Sequence, residues 1–201
     1  LRQARANPVV DPDDHHLYAS LGCAATNLSI AGAASGRPGA LSFDSQGDGS
    51  IIFEHARGEA KPSALFAAIP HRQSTRADYD GRSVSASELA ALAAASTLPG
   101  VDAVFPDKYA RHFDTCAVVA AKDDREHWAL AGQASQHFAL RATALGMKHA
   151  FVNPPVEVTR FRPELAVLVG LPGRRPNLLM RFGYGPTLPL SPRRPVETVL
   201  T

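Results

Sequence analysis

Apolar positions recur at helical spacing in two long stretches of the chain. In the first, Leu17, Leu21, Ala24, Leu28 and Ala31 fall three and four residues apart, which gathers them on one helix face. Asp11 and Pro12 mark its start, because Asp caps orphan N–H groups and Pro is tolerated at the first helical position. Gly36 is a natural stop. In the second stretch Trp128, Ala131, Ser135, Phe138, Ala142 and Leu145 repeat the same way and end at Gly146. Asp123 is placed to cap this helix, with Glu126 three residues on.

The shorter segments alternate between strand and helix signals. Residues 41–43 and 50–53 flank a turn-rich stretch, 44–49, and predict a hairpin. The turn lacks the later ligands and closing Glu of a calcium loop. Residues 57–62 form a polar connector and the best candidate boundary. A short helix over 63–69 follows, and Ser85 with Glu88 forms a capping box for an Ala/Leu-rich helix running to about residue 96. Residues 116–121 are a compact apolar strand. Strands are also expected at 1–10, 150–152 and 178–182, with a short helix from Pro163 to Gly170.

Composition narrows the function classes. The 201 residues suffice for one substantial core or two small halves. A net charge of +2 gives no broad field for nucleic acid or an anionic membrane. No apolar run approaches the ~20 residues of a membrane span. Cys23 and Cys116 form neither a disulfide framework nor a zinc pattern, and their small, apolar neighbours suit buried thiols. His15 and His16 lack the i, i+4 geometry of a metal pair, so an exposed or capping role is expected. His137 reads as a core or surface histidine, and Trp128 as core. No Ser/His/Asp or Cys/His constellation emerges. The chain opens without Met and mid-pattern, which suggests that residue 1 is not the natural N-terminus.

Residues 22–36 and 132–146 echo one another at a constant offset of 110, with Gly, Ala, Ala and Gly coinciding. Chance in Ala-rich sequence and a remnant of duplication both account for this. Candidate chemistry lies elsewhere, in the polar stretch 69–80. It holds Arg72-Gln73-Ser74-Thr75-Arg76, whose guanidiniums suit phosphate or carboxylate. Pairing of Arg72 and Arg76 with Asp78 and Asp80 at the surface is the alternative. A second pair, Arg193 and Arg194, sits in a proline-stiffened tail.

Together these segments resemble the nitroreductase family of FMN-dependent oxidoreductases, and most closely its duplicated, Acg-like branch. The likeness covers nearly the whole chain and is strongest over 128–200. It implies an α+β, nitroreductase-like fold, with helices around a mixed, mainly antiparallel sheet. It implies a remnant of an N-terminal half over 1–60 and a C-terminal half over 61–201 that carries the phosphate motif. By the same likeness Arg72, Gln73 and Ser74 match the Arg-x-Ser motif that holds the FMN phosphate and ribityl chain. Arg76 matches a basic position near the flavin pyrimidine edge, where a cation stabilises charge gained on reduction. Pro155, Val156 and Glu157 resemble the family's Pro-Ile-Glu segment, whose backbone reaches flavin N5. Arg193 and Arg194 resemble the phosphate clamp of the tail.

The implied activity passes electrons from NAD(P)H to nitroaromatic or quinone-type acceptors, in a cytoplasmic homodimer or intrachain pseudo-dimer. The alternative is a protein that holds or sequesters FMN with little turnover. The sequence departs from the family in three places. Val158 stands where many relatives have Gly. The Ala-Pro-Ser-x-x-Asn-x-Gln-Pro-Trp type segment that walls the flavin is absent, and the stretch 100–113 is shorter than the lid-like segment of the Acg-like branch.

Overall fold

The computed structural model describes residues 10–106, 114–192 and 195. Two 20-residue helices, α1 (His15–Ala34) and α4 (Arg125–Ala144), cross at its centre. Between them in sequence come β1 (Gly39–Asp44), β2 (Ser50–His55), α2 (Ala64–Ala68), α3 (Ala86–Ser96), β3 (Val101–Val104) and β4 (Asp114–Ala120). After α4 follow β5 (Lys148–Phe151), α5 (Pro154–Glu157), α6 (Arg162–Leu168) and β6 (Pro176–Gly183). β1 and β2 form the expected hairpin. The other four strands make one sheet in the order β3-β4-β6-β5, antiparallel at every pairing. One parallel bridge, Ser74 to His149, ties the polar stretch 69–80 to its edge.

β4 is central, and its side chains alternate between two cores. Cys116 and Val118 face Phe138, Met180 and Phe182 beneath α4, while Ala117 and Val119 face Val156, Leu165 and Val169 beneath α5 and α6. Ser85 caps α3 in a complete capping box, and Ser63 caps α2. Gly146 stops α4 at φ 75, the left-handed value that glycine adopts without strain. Among the described residues no helix is long and apolar enough to cross a membrane.

Several local expectations need correction. The α4 cap is Asp124, which accepts from His127 N at 2.9 Å. Asp123 instead accepts from the Trp128 indole at 2.7 Å and from Arg175 at 2.9 Å. α1 begins at His15 rather than at residue 11, yet the Asp11 carboxylate still caps it, accepting from His16 N and Leu17 N. His15 is not exposed: it is 1% accessible and its Nε2 meets the Asn177 amide at 3.0 Å. Residues 101–104 and 154–157 form a strand and a short helix that periodicity does not reveal. Most of the strand expected over 1–10 lies outside the described residues.

The largest correction concerns the face of α1. The buried side is Tyr18, Ala19, Gly22, Ala25 and Thr26, while Leu28, on the expected apolar face, is 55% exposed. The cause is the approach of α4. A Cβ on Gly22 would overlap the Ala129 carbonyl, and one on Gly132 would overlap the Ala19 carbonyl. Residues 19 and 22 thus meet 129 and 132 reciprocally, at the offset of 110 seen in the sequence echo. Only small side chains permit this distance, so the leucines are displaced outward.

Candidate ligand-binding site between the long helices

A cavity of about 520 Å³ opens beside the α1–α4 crossing. α1 contributes His16, Ser20 and Cys23, and α4 contributes Gln136 and Ala139. β5 adds His149 and Phe151, and Asn153 and Glu157 come from the start and end of α5. Arg72 enters from the polar stretch. The volume lies within the range that encloses a drug-sized ligand.

Each wall is held by specific bonds. The Thr75 N–H donates to the His149 carbonyl at 2.8 Å, fixing the Arg72 segment against β5. The Asn153 side-chain oxygen accepts from Leu179 N at 2.9 Å. The Asn153 carbonyl accepts from Val156 N at 2.7 Å and Glu157 N at 2.9 Å. The Cys23 thiol donates to the Gly132 carbonyl at 3.2 Å, and Gln136 donates to Asn27 at 2.8 Å, both across the crossing.

The electrostatics centre on Arg72 and His149. Burial drives the His149 pKa down to about 3, and the Arg72 charge pushes the same way. The imidazole is therefore neutral at physiological pH. It is 1% accessible, and neither ring nitrogen has a hydrogen-bond partner among the described residues. Burial raises the Cys23 thiol pKa, so the thiol stays protonated; the Ser135 hydroxyl and the Arg72 charge oppose this only in part.

The expected site residues divide into several groups. Arg72 and Glu157 line the cavity together. Gln73 lies behind it: its Nε2 donates to the Leu188 carbonyl and its Oε1 accepts from Leu188 N, both at 2.9 Å. Ser74 and Arg76 are exposed and do not line the cavity. The Val156 side chain is fully buried under α6, and Pro155 lines a different, apolar groove with Phe161 and Leu168. Val158 has an ordinary φ of −84, and its N–H returns to Pro154. Arg193 and Arg194 lie outside the described residues. Sequence reasoning missed His16, Cys23, Gln136, His149 and Asn153 as lining residues. The nearest sequence signal is that of Asn153, two residues before the Pro155-Val156-Glu157 segment.

No protein-family model matches the chain, and no curated protein sequence does either. Solved structures do match. A nitroreductase from Desulfitobacterium hafniense with bound FMN aligns with a TM-score of 0.57 at 15% identity, over 70% of this chain and 98% of its own. A nitroreductase-like family protein from Bacillus cereus gives 0.58 at 14% identity, over 72% and 98%. The NADPH:FMN oxidoreductase of Vibrio harveyi, complexed with NAD+, gives 0.59 at 13% identity, over 69% and 76%. With its helices around an antiparallel sheet, the chain has the α+β fold of the nitroreductase-like proteins.

Proposed function

We propose that the chain binds FMN in the cavity between α1 and α4 and serves as a nitroreductase-like oxidoreductase. Its electron donor would be NAD(P)H and its acceptors nitroaromatics or quinones. The carrying observation is that Arg72 and Glu157, from two motif segments far apart in sequence, line one cavity of about 520 Å³. The residues present fit the cofactor. A guanidinium suits a phosphate, the volume suits one drug-sized ligand, and a buried imidazole lacks a hydrogen-bond partner among the described residues.

When bound, FMN supplies the centre that accepts and releases hydride. The protein's own part is binding and positioning. Arg72 compensates the phosphate charge as it leaves water. The Asn153 carbonyl accepts from the Val156 and Glu157 amides and so fixes the short turn that brings Glu157 to the cavity. In this reading Glu157 faces the ligand and Val156 anchors the turn in the core, while Ser74 and Thr75 act through the backbone that docks on β5. Gln73 positions the tail that leads toward Arg193 and Arg194.

The reciprocal contact of residues 19 and 22 with 129 and 132 supports an intrachain pseudo-dimer of the Acg-like kind. Residues 1–60 are then the remnant half and 61–201 the half that carries the phosphate motif. The second reading is an FMN-holding protein: the same Arg72 contact serves it, and turnover separates the two. Purified protein is expected to be yellow with FMN. Anaerobic bleaching by NADPH supports the reductase, and a yellow protein that NADPH does not bleach supports the holder. FAD as the sole extracted flavin refutes both.

A further inference from the structure

His149 is chemically conspicuous within the cavity. A buried polar group without a partner is costly, and native proteins rarely leave one unpaired. Here both ring nitrogens are without a partner among the described residues, and the residue is 1% accessible. The nearest ring, Phe151, packs edge-on at 6.4 Å and offers neither a donor nor an acceptor. Arg72 acts on the imidazole through its charge and, carrying donors only, could satisfy at most the acceptor nitrogen, a bond that is not formed. The backbone at this position is fixed, because the His149 carbonyl accepts the Thr75 N–H at 2.8 Å within the edge bridge.

We propose that His149 is a ligand-contacting residue whose imidazole pairs with a hydroxyl of the ribityl chain, next to the phosphate held by Arg72. This rests on the FMN reading above. Charge and position carry the argument. A neutral imidazole presents one N–H donor and one acceptor nitrogen, so it does not complement a phosphate dianion, which only accepts. A hydroxyl both donates and accepts, and matches it. Arg72 provides for the phosphate. The next groups along the cofactor are the ribityl hydroxyls, and His149 stands beside Arg72 in the same cavity. The site therefore selects a polyol linker between ring and phosphate, rather than any flat ring joined to an anion.

The test compares two flavins on the full chain. One is FMN; the other carries its phosphate on a plain alkyl chain of matching length without hydroxyls. Fluorescence titration of wild type should favour FMN about tenfold, as one good hydrogen bond allows. His149→Phe should bring the two affinities to within about twofold. His149→Gln, whose amide keeps a donor and an acceptor, should restore part of the preference. The ratio is taken within each variant, so a general loosening of packing affects both flavins alike. Equal wild-type affinities, or a preference that survives in His149→Phe, overturn this proposal while FMN binding stands. Failure of both flavins to bind wild type overturns the FMN reading and this proposal with it.

Discussion

Replacing Gly132 by alanine should destabilise the chain, although in an ordinary helix the same change stabilises by about 1 kcal/mol. A Cβ at this position would lie 2.6 Å from the Ala19 carbonyl carbon and 2.8 Å from its Cα, and would overlap the carbonyl oxygen. Carbon atoms in contact rest about 3.5–4.0 Å apart, so the helices must part by roughly 1 Å. The obstacle is backbone and cannot rotate away. Overpacking costs about 1–3 kcal/mol, and a rigid obstacle puts this site at or above the upper end. After the gain in propensity the net loss is about 2 kcal/mol. For a chain of this size that lowers Tm by about 4–8 °C. Gly22→Ala should cost a similar amount, because it meets the Ala129 carbonyl in the reciprocal contact. The double variant should lose less than the sum, since one separation of α1 from α4 relieves both clashes. Urea unfolding followed by circular dichroism measures all three. Stabilisation by either single variant would refute the reciprocal close contact.

His15 and His149 both have pKa values held down at about 3 by burial. Their folded pKa lies below the unfolded value of about 6.5, so between these limits the unfolded chain binds more protons. Stability should therefore be full above about pH 6.5 and fall as pH drops, by up to about 1.4 kcal/mol per pH unit for each histidine. Asp13, Glu88 and Asp124 have lowered pKa values and act only below the usual carboxylate range. A urea midpoint that is flat between pH 7 and pH 5 would contradict the burial of the two imidazoles. Gln73→Ala removes two hydrogen bonds to Leu188, a local loss of about 1–2 kcal/mol. Faster hydrogen exchange at the Leu188 amide, with the global midpoint little changed, is expected; unaltered exchange would count against the tail-holding role.

Regular packing made much of the fold legible. β4 reads as a strand because it is buried on both faces, which demands a continuous apolar run. α4 reads as a helix because Phe138 and its neighbours recur on the buried face. The buried face of α1 could not be read by hydrophobicity, since a crossing made of Ala and Gly carries a weak apolar signal and the flanking leucines carry a strong one. The helix over 154–157 was hidden because its two prolines read as a loop, although proline suits a first turn. Site residues were legible only where a local motif carries them, as with Arg72 and Glu157. Gln73 sits in the same motif, but its partner lies 115 residues away in the tail. Cys23, Gln136 and His149 meet only through the helix crossing and the edge bridge. No spacing along the chain anticipates such a meeting.

The central claim is that Arg72 anchors the phosphate of FMN in the cavity between α1 and α4. Titration of FMN into flavin-free wild type and Arg72→Ala, followed by flavin fluorescence, tests it most directly. A charge-assisted hydrogen bond contributes about 1.5–3 kcal/mol. Its loss should weaken FMN binding about tenfold or more. Riboflavin, which lacks the phosphate, should bind both proteins alike. Equal FMN affinity in the two proteins, with folding intact by circular dichroism, would contradict the account.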